Sequence, residues 1–281
     1  MPNSCIQSRK RQQGEDQKRI FITGGASGLG EAIAKKYAQQ GYKVCIGDVN
    51  EQRGLEVIKM LSNLGAQAHY LHCDITKIAD LEKAKQALVE WWGGVDIVVN
   101  NAGVAGTAGP IEDVSMADWE WVVNINLLGV VRGCKVFTHL FKQQKSGYFI
   151  NIASMAGLIN APQMSSYNAS KAGVISISET LKFELTRYNV GVSIVCPAFF
   201  KTNLTESMKA TQAGVTQRIA NVMAHSKISA DDVANDIFNS QKKGEFWVLS
   251  HQPERKLWLL KRYIPSVFSW LMQKKVAKLF A

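Results

Sequence analysis

Arg19-Ile20-Phe21-Ile22-Thr23-Gly24-Gly25-Ala26-Ser27-Gly28-Leu29-Gly30-Glu31-Ala32-Ile33-Ala34-Lys35-Lys36-Tyr37-Ala38 is the stretch whose reading decides the fold. Its apolar start reads as a buried strand, its glycines as a turn, and the mix of apolar and charged residues after Gly30 as an amphipathic helix. Glycine lets the backbone approach a phosphate and lets helix pack on strand. The first helical turn then offers unpaired N–H groups suited to a pyrophosphate. The spacing is T-G-x-x-x-G-x-G, and without a ligand the same stretch is simply a glycine-rich βα turn.

Downstream, Lys43-Val44-Cys45-Ile46-Gly47-Asp48 reads as a second strand ending in an acid, 18 residues after Gly30. In this arrangement the acid meets the adenosine ribose, accepts from two hydroxyls and repels a 2′-phosphate. Unit charges ~4 Å apart at an effective dielectric of ~20 interact by about 4 kcal/mol, which favours NAD over NADP by orders of magnitude. Ser27 brings no cation to neutralise such a phosphate, although Arg53 lies close in sequence. A helix over about 51 to 64 and a third strand, Ala68 to Cys73, lead to Asp74-Ile75-Thr76. Asp74 suits an adenine amino group, the N-cap of the next helix, or both. His69 and His72 read as strand packing rather than as ligands. A helix over 78 to 92, a strand Val95 to Val99 and the turn Asn100-Asn101-Ala102-Gly103 follow; small residues there let a cofactor lie against the backbone. Strands alternating with helices give repeated βαβ units, hence an α/β fold with a parallel sheet and right-handed crossovers.

The second constellation lies later in the chain. Tyr167-Asn168-Ala169-Ser170-Lys171 sets a phenol and an ammonium four residues apart, on one face of a helix. Free tyrosine titrates near ~10, and a cation within ~4 to 6 Å favours the phenolate, so Lys171 is expected to lower Tyr167. An ordinary solvated helix face has the same spacing. Ser154 follows the strand-like run Tyr148 to Ala153, so its hydroxyl is expected at a strand's carboxyl end, where ligands sit in open parallel sheets. Asn126, in an otherwise apolar helix over about Met116 to Leu140, is either a satisfied core amide or the mark of a helix break that orders a water.

Composition bounds the alternatives. At 281 residues and 46% hydrophobic content, one large α/β unit with appended ends is expected. The net charge of +10 sits mostly at the ends. Residues 1 to 19 hold five Lys/Arg and two acids, and residues 251 to 281 hold seven and one. The body is therefore nearly neutral and lacks the basic groove of a nucleic-acid binder. Five cysteines, Cys5, Cys45, Cys73, Cys134 and Cys196, form no C-x-x-C pair, which points to a reducing, cytoplasmic setting and to core packing. The histidines show no metal-ligand spacing, so no metal is expected. Residues 1 to 17 form a polar leader, expected to be disordered and without a signal-peptide core.

Taken in order, Thr23-Gly24-x-x-x-Gly28-x-Gly30, Asp74, Asn100-Asn101-Ala102-Gly103, Asn126, Ser154, Tyr167-x-x-x-Lys171 and Pro197 to Thr202 resemble the classical short-chain dehydrogenase/reductase (SDR) family over roughly residues 18 to 250. The resemblance implies a single-domain Rossmann-type doubly wound parallel sheet of about seven strands, with helices on both faces. It implies catalytic roles for Asn126, Ser154, Tyr167 and Lys171, with Asn126 holding a water that links Lys171 to solvent. It implies that the cofactor meets Thr23, Gly24, Ser27, Gly28, Leu29 and Gly30 at the turn and Asp48 and Val49 at the second strand. Further contacts fall on Asp74 and Ile75, on Asn101, Ala102 and Gly103, on Tyr167 and Lys171, and on Pro197, Phe200 and Thr202. The chain departs from the family at Ala198, where glycine is usual; the added methyl is expected to crowd nicotinamide or substrate slightly. Helices around Met116 to Leu140 and 167 to 188 pair across a two-fold axis in the family, which implies a homodimer or homotetramer.

Between about 203 and 228, Leu204, Met208, Val215, Ile219, Val222 and Met223 suggest an amphipathic lid. With Met155, Met164 and Phe199 beside Ser154 and Tyr167, the substrate pocket reads as hydrophobic, suited to a bulky or long-chain alcohol or ketone. Ser229-Ala230-Asp231-Asp232 caps a further helix, and Gly244 to Leu249 reads as the last strand. Residues 251 to 281 form a basic amphipathic helical extension broken at Pro265, too short and charged to span a bilayer. It suits an interface with anionic lipid, a partner subunit, or solvent. The expected activity is hydride transfer between NAD(H) and a carbonyl or secondary alcohol, with Tyr167 as general acid/base. The alternative is a catalytically silent NAD-binding regulator or scaffold of the same fold.

Overall fold

The structure, a computed structural model, describes residues 17–200, 203–212 and 214–280. The chain begins with β1 (Arg19–Thr23), α1 (Gly28–Gln39), β2 (Lys43–Asp48), α2 (Glu51–Asn63), β3 (Ala68–His72), α3 (Ile78–Trp92) and β4 (Ile97–Asn100). A two-residue strand β5 (Thr107–Ala108) precedes α4 (Met116–Val123) and α5 (Gly129–Gln144), which a π-helical segment, Asn124–Leu128, joins without a gap. Then come β6 (Gly147–Ile152), a short α6 (Ala156–Ile159), α7 (Ser165–Leu185) and β7 (Val190–Val195). The last part holds β8 (Lys209–Ala210), α8 (Val215–Ala224), α9 (Ala230–Lys243), β9 (Trp247–Val248), α10 (Gln252–Tyr263) and α11 (Pro265–Phe280).

The main sheet has seven strands in the order β3-β2-β1-β4-β6-β7-β9, and every pair is parallel. Strand side chains alternate between faces. Ile20 and Ile22 join Leu29, Ile33 and Tyr37 of α1, Val57 of α2 and Ile237 of α9 in one core layer. Phe21 faces the other way and joins Leu81 and Leu88 of α3, Phe137 and Phe141 of α5 and Val174 of α7. Helices thus cover both faces, which is why the strands read as near-continuous apolar runs. The chain is a Rossmann-like single sheet domain, doubly wound, as expected.

Strand order reverses where β1 sits between β2 and β4, and that reversal opens a crevice beyond the strands' carboxyl ends. The glycine turn there is sterically forced. Gly24 has φ +64°, and a Cβ on it would lie 2.7 Å from the Ala102 Cα; one on Gly30 would lie 2.0 Å from the Gly24 carbonyl oxygen. Any side chain at either position would push β1's turn away from β4's.

Several expectations shift in detail. The leader, residues 1–16 and Cys5 included, lies outside the described residues, whereas Cys45, Cys73, Cys134 and Cys196 are buried free thiols. The last strand is only Trp247–Val248. His69 stacks on Trp91 with centroids 4.4 Å apart, but His72 is exposed on the sheet's edge strand instead of packed. The lid region contains a 3₁₀ turn, Asn203–Ser207, then β8 paired with β5, then α8. The extension folds back on the body: the Trp258 ring lies 5.2 Å from that of Trp247, Lys261 Nζ donates to the Leu158 carbonyl at 2.6 Å, and Phe268 is buried. Among the described residues no helix is long and apolar enough to cross a membrane.

Candidate active site

The crevice at the sheet's carboxyl edge holds ≈ 980 Å³ and runs from the glycine turn to the start of α7. Gly24, Ser27, Gly28 and Leu29 line one end, with Asp48 and Val49 beside them and Asp74 and Ile75 beyond. Asn101, Ala102 and Gly103 form the floor, and Ser154, Tyr167, Lys171, Pro197 and Phe200 line the other end. The structure therefore gathers residues from six loops that the sequence spreads over 177 positions, from Gly24 to Phe200.

Three of the expected site residues lie behind this lining. Thr23 is buried, and its hydroxyl accepts from the N–H groups of Asn101 (3.0 Å) and Ala102 (3.2 Å), so it latches two turns together. Gly30 sits beneath the turn, where its missing side chain allows the close approach described above. Asn126 is completely buried; its amide clasps Val104, accepting from the N–H and donating to the carbonyl, both at 2.8 Å. Thr202 lies outside the described residues.

The turn has the form an anionic group requires. Ser27 is the N-cap of α1 in extended backbone, yet its side chain caps no N–H, so the first-turn donors are left for a ligand. The Asp48 carboxylate is oriented by the N–H groups of Ala26 and Asn50, each at 3.0 Å. Arg53, the cation close to it in sequence, is paired with Glu206 of the lid at 2.9 and 3.3 Å. Asp74 does not cap α3, whose N-cap is Lys77. Its carboxylate instead accepts from the Thr76 N–H (3.0 Å) and hydroxyl (2.7 Å), because it stands too far ahead of the helix to reach the first-turn donors. Burial opposes its ionisation, but those hydrogen bonds and Lys77 outweigh burial and hold its carboxyl below the usual range. These groups fit a dinucleotide: free helix donors for a pyrophosphate and a fixed carboxylate for a ribose. Among the described residues no cluster of three or more His, Cys, Asp or Glu could hold a metal.

At the other end, β6 delivers Ser154 two residues past its last strand position, and α7 delivers Tyr167 and Lys171 from its first two turns. The Ser154 hydroxyl donates to the Pro197 carbonyl (3.3 Å) and accepts from the Ala156 N–H (3.1 Å), which ties it to the loop after β7. Burial raises the Tyr167 phenol above its ordinary value, and a hydrogen bond with Ser154 only partly offsets this. The expected lowering by Lys171 is not found, because burial is the larger effect. Lys171 Nζ lies 5.7 Å from the centre of the Tyr167 ring and donates to the Ile152 carbonyl at 2.9 Å. Burial brings Lys171 itself down to about 8, so its positive charge is the weaker partner. A protonated phenol on the crevice wall can exchange a proton with a ligand there, and the nearby ammonium can steady the resulting phenolate.

Met155 and Met164 line the crevice as expected, and Phe199 does so while 42% exposed at its mouth. Sequence reading missed a whole wall: Glu254 and Leu257 of α10 and Met272 of α11 also face the crevice. The signal was the apolar residues Leu257, Trp258, Phe268 and Met272, which called for something to cover them. His251 was missed too. It is buried, its Nδ1 accepts from the Ala198 N–H at 3.3 Å, and its ring lies 6.2 Å from Phe200.

A nucleotide crevice at a parallel sheet's switch point, closed at one end by a buried Ser, Tyr and Lys, defines the class as a dinucleotide-dependent oxidoreductase fold. Residues 18–213 match the sequence profile of the short chain dehydrogenases, and the chain belongs to that family. It is 31% identical over 252 residues to a CLA biosynthesis dehydrogenase/reductase of Lactiplantibacillus plantarum, covering 83% of this chain and 88% of that one. It is 27% identical over 226 residues to a 3beta-hydroxysteroid dehydrogenase of Mediterraneibacter gnavus, covering 80% of each. Among solved structures, a short chain dehydrogenase/reductase from Burkholderia phymatum in complex with NAD superposes with a TM-score of 0.85 at 31% identity, covering 90% of this chain and 96% of that one.

Proposed function

We propose that this chain moves a hydride between NAD(H) and the carbonyl or secondary alcohol of a hydrophobic substrate, with Tyr167 as general acid/base. The observation that carries the reading is the convergence of Ser154, Tyr167 and Lys171 on one apolar crevice continuous with the glycine turn. A bound nicotinamide dinucleotide supplies the hydride donor or acceptor. The protein's part is binding and proton handling. The first-turn N–H groups of α1 bind the pyrophosphate, and Asp48 takes the ribose hydroxyls. With Arg53 paired to Glu206, the Asp48 carboxylate is left to repel a 2′-phosphate, which supports NAD over NADP.

In reduction, the Ser154 hydroxyl donates to the substrate carbonyl oxygen and the Tyr167 hydroxyl delivers its proton there. In oxidation, the same phenolic oxygen removes the alcohol proton. Lys171 steadies the phenolate once that proton has left, and Asn126 acts from behind by fixing Val104 and Gly103. Met155, Met164, Leu257 and Met272 make the wall apolar, which supports a bulky or long-chain substrate; the steroid-acting relative is consistent with that class. Four buried free thiols support a reducing, cytoplasmic setting.

The test is spectrophotometric. With a panel of secondary alcohols and ketones, the absorbance of reduced nicotinamide is expected to change with NAD and far less with NADP. Tyr167→Phe is expected to lose nearly all turnover, at least about 10³-fold, while still binding NAD. Wild-type rates in that variant exclude the tyrosine role. A fully silent wild type that still binds NAD points instead to a regulator of the same fold.

A further inference from the structure

The extension has two apolar faces, and the fold uses only one. On the inner face, Phe268 is buried, Leu257 and Met272 close the crevice, and Lys261 donates to the Leu158 carbonyl. On the outer face, Tyr263, Ile264, Val267, Trp270 and Leu271 are exposed, Tyr263 by 73% and Trp270 by 53%. Along α11, Ile264, Val267, Leu271 and Lys274 recur at three- and four-residue steps, so they share one side. Phe268 and Met272 lie roughly 80° and 120° round the helix from that stripe, on the side turned to the body.

The exposed charges of the extension are of one sign. Arg255, Lys256, Arg262 and Lys274 are exposed there, against the single acid Glu254, which faces the crevice. Two of these cations fold over aromatic rings: Lys274 Nζ lies 3.9 Å from the centre of Trp270, and the Arg262 guanidinium 5.8 Å from that of Trp258. An apolar stripe with aromatics, rimmed by long cationic side chains that can reach outward, matches the headgroup level of a bilayer. Self-pairing of this face would oppose cation to cation, which argues against a second copy as occupant. A helix of 16 residues spans about 24 Å, less than the ~30 Å hydrocarbon core, so α11 lies along a bilayer and not across it.

We propose that the outer face of α10–α11 docks on an anionic lipid surface, and that this sets the crevice wall, one helix thickness away, against the bilayer from which a lipophilic substrate enters. The docking does not depend on the activity; the entry route rests on the oxidoreductase reading above.

The test uses the full chain and vesicles of phosphatidylcholine with or without 30% phosphatidylglycerol, a composition chosen on the order of a moderately anionic leaflet. Flotation is expected to recover the protein with the anionic vesicles at low salt and much less at high salt or with phosphatidylcholine alone. Arg262→Glu/Lys274→Glu is expected to weaken partitioning by at least about fivefold per cation removed. Val267→Ser/Trp270→Ser, which changes only exposed positions, is expected to abolish it while leaving the circular dichroism spectrum and turnover of a short, water-soluble alcohol unchanged. Wild type that stays soluble with anionic vesicles overturns the proposal. So does a Val267→Ser/Trp270→Ser variant that changes oligomeric mass but not flotation, since the face would then cover a protein surface. If vesicles bind but no alcohol is turned over, the docking stands and the activity reading fails.

Discussion

Lys171 shows how much a single buried position matters in this chain. It is the one fully buried lysine among the described residues, and burial holds it down to about 8. A lysine whose pKa falls on folding binds fewer protons folded than unfolded between that value and ~10.4. Its burden on the fold is complete below about 8 and fades as pH rises through ~10.4. Each unit of displacement corresponds to about 1.4 kcal/mol, and loss of the Ile152 hydrogen bond offsets about 1 kcal/mol. Lys171→Met is therefore expected to raise stability by roughly 2 kcal/mol at pH 7 while removing turnover. The gain over wild type should shrink between pH 8 and 10.5, as read by denaturant titration; a gain that stays constant with pH would rule out the charge as its source. Asp48 makes the complementary case. Held by two N–H groups, it is already oriented before any ribose arrives.

The π-helical segment Asn124–Leu128 is the element whose sequence least resembles its consequence. One extra residue per turn re-aims the side chains around it, so Asn126 reaches across to Val104 without ending the α4–α5 rod. The segment also packs under α7: a Cβ at Gly173 would lie 2.9 Å from a Leu127 methyl, and Asn126 Nδ2 lies 3.4 Å from the Ser170 hydroxyl. Through Val104 and Gly103 it therefore sets the distance between the crevice floor and Lys171. Asn126→Ala leaves two part-buried Val104 groups unpaired, expected to lower stability by about 1–2 kcal/mol. It is also expected to lower kcat more than it raises KM, because the floor beneath Lys171 loosens. A variant with an unchanged melting temperature and kcat would show that the clasp positions nothing.

On the scale of the whole molecule, α7 ties the Tyr167 end of the crevice to an exposed surface. Its inner face carries Tyr167, Lys171 and Val174, and its outer face carries small and polar residues, Ala169, Ser176 and Thr180, ending in Phe183, which is 74% exposed. The outer face is thus less apolar than the sequence pattern implied, its exposed positions being mostly small or polar. We expect a dimer or tetramer by sedimentation, with Phe183→Glu shifting mass toward the monomer; a monomeric wild type would remove α7 as an interface. The first part of the lid is attached twice: Lys209 pairs with Asp118 at 2.7 Å and lies 4.6 Å over Trp121, and Glu206 pairs with Arg53. The lid, the extension and the body therefore meet around one crevice.

The amino-acid sequence alone determined the alternation of strands and helices, the glycine turn and the pairing of Tyr167 with Lys171 on one helix face, because each rests on local spacing. A strand ending, a sharp turn and a helical repeat of four are short-range physics, and neighbouring residues suffice to specify them. Only the tertiary structure decided that Asn126 and Thr23 serve from behind the lining and that Arg53 is taken by Glu206. It alone decided that α10 and α11 wall the crevice. Those outcomes join residues far apart in the chain, such as Arg53 and Glu206, 153 positions apart, and they depend on which of several apolar faces wins burial. The titration of Tyr167 and Lys171 belongs with them: helix spacing brings the two groups together, but the dryness set by surrounding elements pushes the phenol up and the ammonium down.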